Sequence, residues 1–181
     1  SNDISDPTIV AGAIKAGLDK LKAKGATKGV IANIPYVTTI PFFTTVPYNP
    51  LTPTALGSNL TALNTSLYGP LKQALTALGA GSRINLLSST TANPVLIKDV
   101  SLTNLSTQLT AALTPALGAQ TAAAFGQIYG QARQTTSEDY IILSTRAVIG
   151  STATGAPSSI NVYGISYPLE NQHVLTKTEA A

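Results

Sequence analysis

The chain has 181 residues, of which 44% are hydrophobic and 10% charged, and its net charge is +3. This length is enough for one domain with a hydrophobic core, while the charged fraction is well below the usual value of about 25%. A surface so poor in charge is common in secreted and cell-envelope proteins. The sequence contains no cysteine, which excludes disulfides, thiolate catalysis and cysteine-ligated zinc. It also contains no apolar run of about 18 residues, so we predict no transmembrane segment.

The lysines are concentrated near the amino terminus. Five of them lie on one predicted helix and its exit: Lys15, Lys20, Lys22, Lys24 and Lys28. No aromatic residues alternate with them, as they do in many nucleic-acid-binding surfaces. We therefore interpret the cluster as a solvated helix face and predict no nucleic-acid partner.

The first predicted helix has clear start and stop signals. Asp6 is a capping residue, Pro7 suits the first helical position and Gly25 follows the last turn. Its apolar residues recur at helical spacing: Ile9, Val10, Ala13, Ile14, Leu18 and Leu21. The next segment, "GVIANIP" over residues 29–35, is short, apolar and partly β-branched, which predicts a buried strand. A helix that leads into such a strand favours a parallel α/β sheet.

An aromatic and proline-rich strip, "PYVTTIPFFTTVPY" over residues 35–48, follows this predicted strand. Proline cannot donate to a β-ladder, so the strip should be an edge or an irregular loop. If it is extended, Tyr36, Phe42 and Tyr48 share one face. Because parallel sheets bind ligands at the carboxyl ends of their strands, Asn33 and the strip lie near a possible site. The candidate substrate-binding residues are Asn33, Tyr36, Phe42, Phe43 and Tyr48.

The remaining segments predict a mostly helical continuation. Leucines spaced by three and four residues predict a helix or a pair of helices over 58–79, with a bend at Gly69–Pro70. Two further helices are predicted over 103–118 and 119–134, with a break near Pro115 to Gly118. Strands are predicted at "RINLLSS" and "DYIILST", and "INVYGISY" predicts another strand or the arm of a hairpin. The capping box Thr176-x-x-Glu179 predicts a helix start, and we expect the natural protein to continue beyond it.

The residues show no complete catalytic centre. Glu170 lies three positions before His173, the single histidine, and a carboxylate at that distance can orient an imidazole. No serine-containing nucleophile turn accompanies them, so we interpret His173 as a partly exposed loop residue. We interpret Glu138 and Asp139 as surface residues. We predict no catalytic residue, no metal ligand and no cofactor in this chain.

Several segments resemble a family of bacterial cell-envelope proteins in the SGNH, or GDSL-like, hydrolase superfamily. They are "KGVIANIPYVTTIPFFTTVPYNPL", "VLIKDVSLTNLSTQL", "FGQIYGQARQTTSEDYIILSTRAVIG" and "YGISYPLENQHVLTKTEAA", in the family's order. The resemblance implies a fragment of a flavodoxin-like α/β/α sandwich and serine esterase or lipase chemistry. The family's Gly-Asp-Ser, Gly-x-Asn-Asp and Asp-x-x-His motifs are absent from this chain, so the chain itself should be inactive.

The resemblance also implies an internal division. Residues 3–37 would form a helix and the central strand of the hydrolase core, residues 38–168 a largely helical insertion or cap, and residues 169–181 the start of a helix that returns to the core. The strip would then lead from the sheet into the cap. Its rings would either bury the cap against the sandwich or contact an acyl or aryl group.

The expected partner is a small-molecule ester or lipid, bound by the longer parent protein. The expected location is the cell envelope or the exterior, as a periplasmic or outer-membrane lipoprotein. An alternative remains open: a non-catalytic module whose apolar strip binds a lipid, a glycan or a protein.

Overall fold

The computed structural model describes residues 6–32 and 36–180, apart from the side chain of Val37. The chain divides into two compact units, Ser1–Pro35 and Tyr36–Ala181. Its class is mixed α/β, with about 51% helix and 11% strand, as the sequence predicts at this coarse level. The described α-helices are α1 Pro7–Ala23, α2 Pro41–Thr44, α3 Pro53–Leu56, α4 Asn59–Leu63, α5 Gly69–Ala77, α6 Ser106–Leu117, α7 Ala119–Tyr129 and α8 Lys177–Ala180. The described strands are β1 Leu96–Lys98, β2 Ala132–Gln134, β3 Tyr140–Ile141 and β4 Val174–Leu175.

The first unit contains α1, whose predicted ends are confirmed. The Asp6 carboxylate accepts a hydrogen bond from the Thr8 backbone N–H at 2.7 Å, Pro7 is the first helical residue, and Gly25 adopts a φ of +94°. That left-handed conformation is costly for residues with a Cβ, which explains the glycine. No residue of α1 is buried.

The strand predicted after α1 is not formed over residues 29–32, and residues 33–35 lie outside the described residues. Val30 is 97% exposed and Ile31 63% exposed. Among the described residues no strand pairs with this segment. A strand needs a neighbour to satisfy its backbone groups, so the apolar pattern alone does not form one here.

In the second unit, the predicted helix over 58–79 is present but interrupted. A π-helical turn, Asn64–Tyr68, joins α4 to α5 immediately before the Gly69–Pro70 pair. A Cβ on Gly69 would lie only 2.8 Å from the Asn64 carbonyl oxygen, so the wide turn requires glycine. The leucines of α5 that face inward, Leu71 and Leu75, belong to the main hydrophobic core.

Helices α6 and α7 form a tight hairpin around Gly118, which confirms the predicted break. Gly126 of α7 meets α6 so closely that a Cβ would overlap the Thr110 side chain and lie 2.5 Å from the Ser106 carbonyl oxygen. The predicted end of α7 was wrong, because Ala132–Gln134 forms strand β2. Strand β2 pairs antiparallel with β1, and Ile97 lies opposite Arg133.

The strand predicted at "RINLLSS" is wrong, and the prediction for "INVYGISY" holds only in part. Residues 84–88 form no strand, because carboxamide side chains bind their backbone instead of a neighbouring chain. The Gln134 side chain exchanges two hydrogen bonds with Asn85, of 2.8 and 3.0 Å. In the second segment no regular strand forms, but Val162 makes an antiparallel bridge with Thr152, as a hairpin arm would, and the chain then turns at Gly164, which has a φ of +75°. The buried phenols of Tyr68 and Tyr129 donate to the carbonyls of Ile165 and Ser166 in this turn.

The remaining predictions for the carboxyl-terminal part hold in part. "DYIILST" contains the short strand β3, which pairs antiparallel with β4, and then a 3₁₀-helix, Leu143–Ala147. The predicted capping box is present, since the Glu179 carboxylate accepts from the Thr176 backbone N–H at 3.0 Å. In the part of the chain that the structure describes, no helix has the length and hydropathy needed to cross a membrane.

Candidate functional site

The aromatic and proline-rich strip is a pair of short turns and is not extended, so the predicted common face of Tyr36, Phe42 and Tyr48 is not formed. Its first turn is the 3₁₀-helix Val37–Thr39, and its second is α2. The repeated threonines close these turns. Thr39 Oγ1 donates to the Tyr36 carbonyl at 2.7 Å, and Thr45 Oγ1 donates to the Pro41 carbonyl at 2.6 Å. The sequence repeat therefore encodes a repeated turn.

The aromatic rings of the strip differ in their surroundings. Tyr36 is 83% exposed and Phe42 is 41% exposed, whereas Phe43 and Tyr48 are half-buried. The Phe43 ring packs edge-on against Phe42, with centroids 5.2 Å apart, and against Tyr140, with centroids 6.5 Å apart. Phe43 thus attaches the strip to β3, and Phe42 is the phenylalanine with more surface to offer a ligand. The other candidate, Asn33, lies outside the described residues.

A shallow cavity of about 430 Å³ lies at the carboxyl end of the strip. It is lined by Thr45, Val46, Pro47, Pro50, Arg146 and Ile149. None of the candidate rings lines it. The backbone bridge between Val46 and Ile141 fixes the strip beside β3, and the 3₁₀-helix that follows β3 brings Arg146 and then Ile149 to the cavity.

Sequence reasoning missed Arg146 and Ile149. No local pattern marks them, because they are far from the strip in sequence and meet it only through the bridge and the packing of α2 against the Leu143–Ala147 helix. A charged residue in the otherwise uncharged stretch "IILSTRAVIG" is the one signal that could have drawn attention to Arg146.

His173 is partly exposed, as predicted, but it is not a loop residue, because it ends the 3₁₀-helix Asn171–His173 and directly precedes β4. Its Nδ1 lies 3.2 Å from the hydroxyl of Thr145, which also donates to the His173 carbonyl at 3.0 Å. The Glu170 carboxylate lies 3.7 Å from the Lys98 ammonium. The two side chains thus have different partners, and this geometry offers no activated nucleophile.

The prediction that Asp139 is a surface residue was wrong. Its side chain is fully buried and accepts two hydrogen bonds from the Arg133 guanidinium, of 2.6 and 2.7 Å. The same guanidinium donates to Asp99 at 2.6 Å. Burial alone would raise the pKa of Asp139, but hydrogen bonds from Arg133 and Thr136 hold that pKa below its ordinary value. Every charge here has a partner, so the cluster is best explained as a structural link between β1, β2 and the start of β3.

Within residues 6–32 and 36–180, no group of three or more His, Asp or Glu side chains is arranged to hold a metal ion. Comparison of the chain with protein-family models, with curated proteins and with solved structures found no match.

Proposed function

We propose that this chain is the central, cap-bearing part of an SGNH-type esterase or lipase of the bacterial cell envelope. In this proposal, residues 3–37 belong to the flavodoxin-like hydrolase core, residues 38–168 form the cap and residues 169–181 lead back to the core. The substrate is a carboxylic ester or lipid. The longer parent protein supplies the catalytic serine, the oxyanion motif and the catalytic histidine.

The observation that carries the proposal is the unburied apolar surface of the first unit. Ile9 and Leu21 of α1 are 71% and 60% exposed, and the following segment exposes Val30 and Ile31. Leaving large aliphatic side chains in water costs about 1.5–3 kcal/mol each relative to full burial. In an α/β/α sandwich, helices and apolar strands of this kind bury their apolar surfaces against each other.

A second support is the form of the strip. Its turns are closed by threonine hydroxyls and braced by Phe43, and its Phe42 ring is partly exposed. An ordered apolar edge of this kind suits a cap beside an active site, because it can accept an acyl chain without reorganising. In this role the chain binds and orients the substrate, and the chemistry belongs to residues outside it.

The alternative is a non-catalytic module that binds a lipid, a glycan or a protein through the strip. The exposure of Tyr36 and Phe42 favours it, since exposed aromatic residues are typical of interaction surfaces. If this alternative is correct, neither this chain nor the longer protein hydrolyses esters.

Hydrolysis of nitrophenyl butyrate and nitrophenyl decanoate by this chain and by the longer gene product separates the two. We expect turnover by the longer protein and only background rates with this chain. Background rates with both proteins would contradict the esterase proposal. Turnover by this chain that His173→Ala abolishes would contradict the assignment of catalysis to residues outside it.

A further inference from the structure

We propose that the cavity at the end of the strip binds the carboxylate group of an apolar carboxylic acid, with Arg146 as the partner of the negative charge. The inference deepens the proposed function and depends on it for its biological meaning, since ester hydrolysis releases such an acid. The binding itself requires only residues of this chain.

The cavity combines one cation with apolar walls. Val46 is buried, and Pro47, Pro50 and Ile149 add aliphatic surface around it. Among the residues that the structure describes, no carboxylate lines the cavity. Its volume of about 430 Å³ falls in the range of small-molecule sites. An anionic head on a hydrocarbon body therefore matches both the charge and the walls.

The chain has three arginines, and their side chains differ in the partners they bind. Arg83 donates to the carbonyls of Thr103 and Gly130, each at 3.0 Å, and Arg133 binds two aspartates. Arg146 makes no hydrogen bond or ion pair through its side chain within the described part of the chain. A guanidinium offers a planar pair of N–H donors that fits a carboxylate, and it is more weakly hydrated than an ammonium group.

The position of Arg146 is held by the backbone around it. It lies in the 3₁₀-helix Leu143–Ala147, and the Val148 and Ile149 backbone N–H groups donate to the Thr145 carbonyl at 2.9 and 3.1 Å. Thr145 is fully buried. The backbone that carries Arg146 is therefore held in place, and only its exposed side chain has to be ordered when a ligand binds.

The test is an NMR titration of this chain with decanoate, with decanol as the uncharged analogue. We expect decanoate to shift the amide signals of Val46 and Ile149 in a saturable way, and decanol to bind at least about tenfold more weakly, because hydrogen bonds to charged groups are the stronger ones. Arg146→Gln should weaken decanoate binding by about tenfold or more. The matched control Lys24→Gln removes the same charge from the end of α1 and should change binding by less than about twofold.

Equal binding of decanoate and decanol, or unchanged decanoate binding by Arg146→Gln, would overturn the role of Arg146. No saturable shift up to the solubility limit of decanoate would overturn the site itself. Arg146→Lys, which keeps the positive charge, controls for loss of binding caused by misfolding. It should bind decanoate more tightly than Arg146→Gln. These outcomes do not depend on catalysis. If the longer protein hydrolyses esters but this chain does not bind decanoate, only the inference about the cavity is wrong. If this chain binds decanoate but the longer protein hydrolyses no ester, only the esterase proposal is wrong.

Discussion

The side chain of Asn64 forms two hydrogen bonds with the backbone of Leu87, accepting from its N–H at 2.8 Å and donating to its carbonyl at 2.9 Å. The carboxamide thus occupies the place of a neighbouring strand. Asn64 is the first residue of the π-helical turn that joins α4 to α5.

We predict that Asn64→Ala lowers the free energy of unfolding by about 1–3 kcal/mol, because the backbone groups of Leu87 lose their partners. Asn59→Ala is the matched control, since Asn59 is exposed on the preceding helix and should cost less than about 0.5 kcal/mol. Urea denaturation of both variants measures the difference. Equal losses would show that the carboxamide does not hold the 84–88 segment.

Replacement of Arg133 by methionine should be among the most destabilising changes in the chain. It leaves the carboxylates of Asp99 and Asp139 buried without their cation, which costs about 3–5 kcal/mol. Lys177→Met, which breaks the exposed ion pair with Glu138, should cost less than about 1 kcal/mol. Urea denaturation measures both variants. If Arg133→Met lowers the free energy of unfolding as little as Lys177→Met does, the structural role of the cluster is contradicted.

The same cluster predicts acid sensitivity. Burial tends to raise the pKa of Asp99, but hydrogen bonds from Ser101 and Arg133 hold that pKa below its ordinary value, as they do for Asp139. An aspartate with a lowered folded-state pKa stabilises the protein above its unfolded pKa of about 3.9. That stability is lost as the pH falls through the folded pKa. Urea midpoints should therefore be constant between about pH 5 and pH 8 and fall below about pH 4; a constant midpoint down to pH 2 would argue against this linkage.

The buried phenols predict a second loss of stability, at alkaline pH. Burial raises the pKa of Tyr68 and of Tyr129 well above the ordinary value. Their stabilisation is therefore complete below the unfolded pKa of about 10 and is lost as the pH rises through the folded values. Tyr68→Phe should cost about 1–3 kcal/mol at neutral pH, because the Ile165 carbonyl loses its donor. Tyr68→Phe should also make the urea midpoint less dependent on pH in the alkaline range. An unchanged pH dependence would show that Tyr68 ionises while the protein stays folded.

The two phenylalanines of the strip should behave differently. Phe43→Ala should lower the unfolding free energy by about 1–3 kcal/mol, less than the 3–5 kcal/mol of a fully buried ring, and Phe42→Ala by less than about 1 kcal/mol. In the longer protein, Phe42→Ala should change kcat/KM unevenly across acyl lengths, by up to about 1–3 kcal/mol. Thermal melts and assays on short and long esters measure both. If every ester slows by the same factor, the strip is a structural brace and not a substrate surface.

The sequence predicted the features that depend on neighbouring residues. Asp6, Pro7 and Gly25 define α1 locally, and Gly118 separates α6 from α7 in the same way. The errors arose where distant residues decide the structure. Residues 84–88 have the pattern of a strand, but Asn64 and Gln134 satisfy their backbone groups.

In the candidate site, too, the sequence predicted the local features and missed those that depend on distant residues. The strip was recognisable from its repeat, but its turns depend on threonine hydroxyls that bind carbonyls three or four residues earlier. Arg146 was missed because only the bridge between Val46 and Ile141 brings its turn to the strip. The burial of Asp139 was missed because its partner Arg133 lies on β2, which the sequence pattern assigned to a helix.

The central claim is that the longer protein is a serine ester hydrolase whose nucleophile lies outside this chain. Labelling with a fluorophosphonate probe, which reacts covalently with activated serines, followed by peptide mapping tests it most directly. We predict one labelled serine in the longer protein, in a segment that precedes residue 1 of this chain, and no labelling of this chain alone. A labelled serine within residues 1–181, or no labelled serine in the longer protein, would contradict the account.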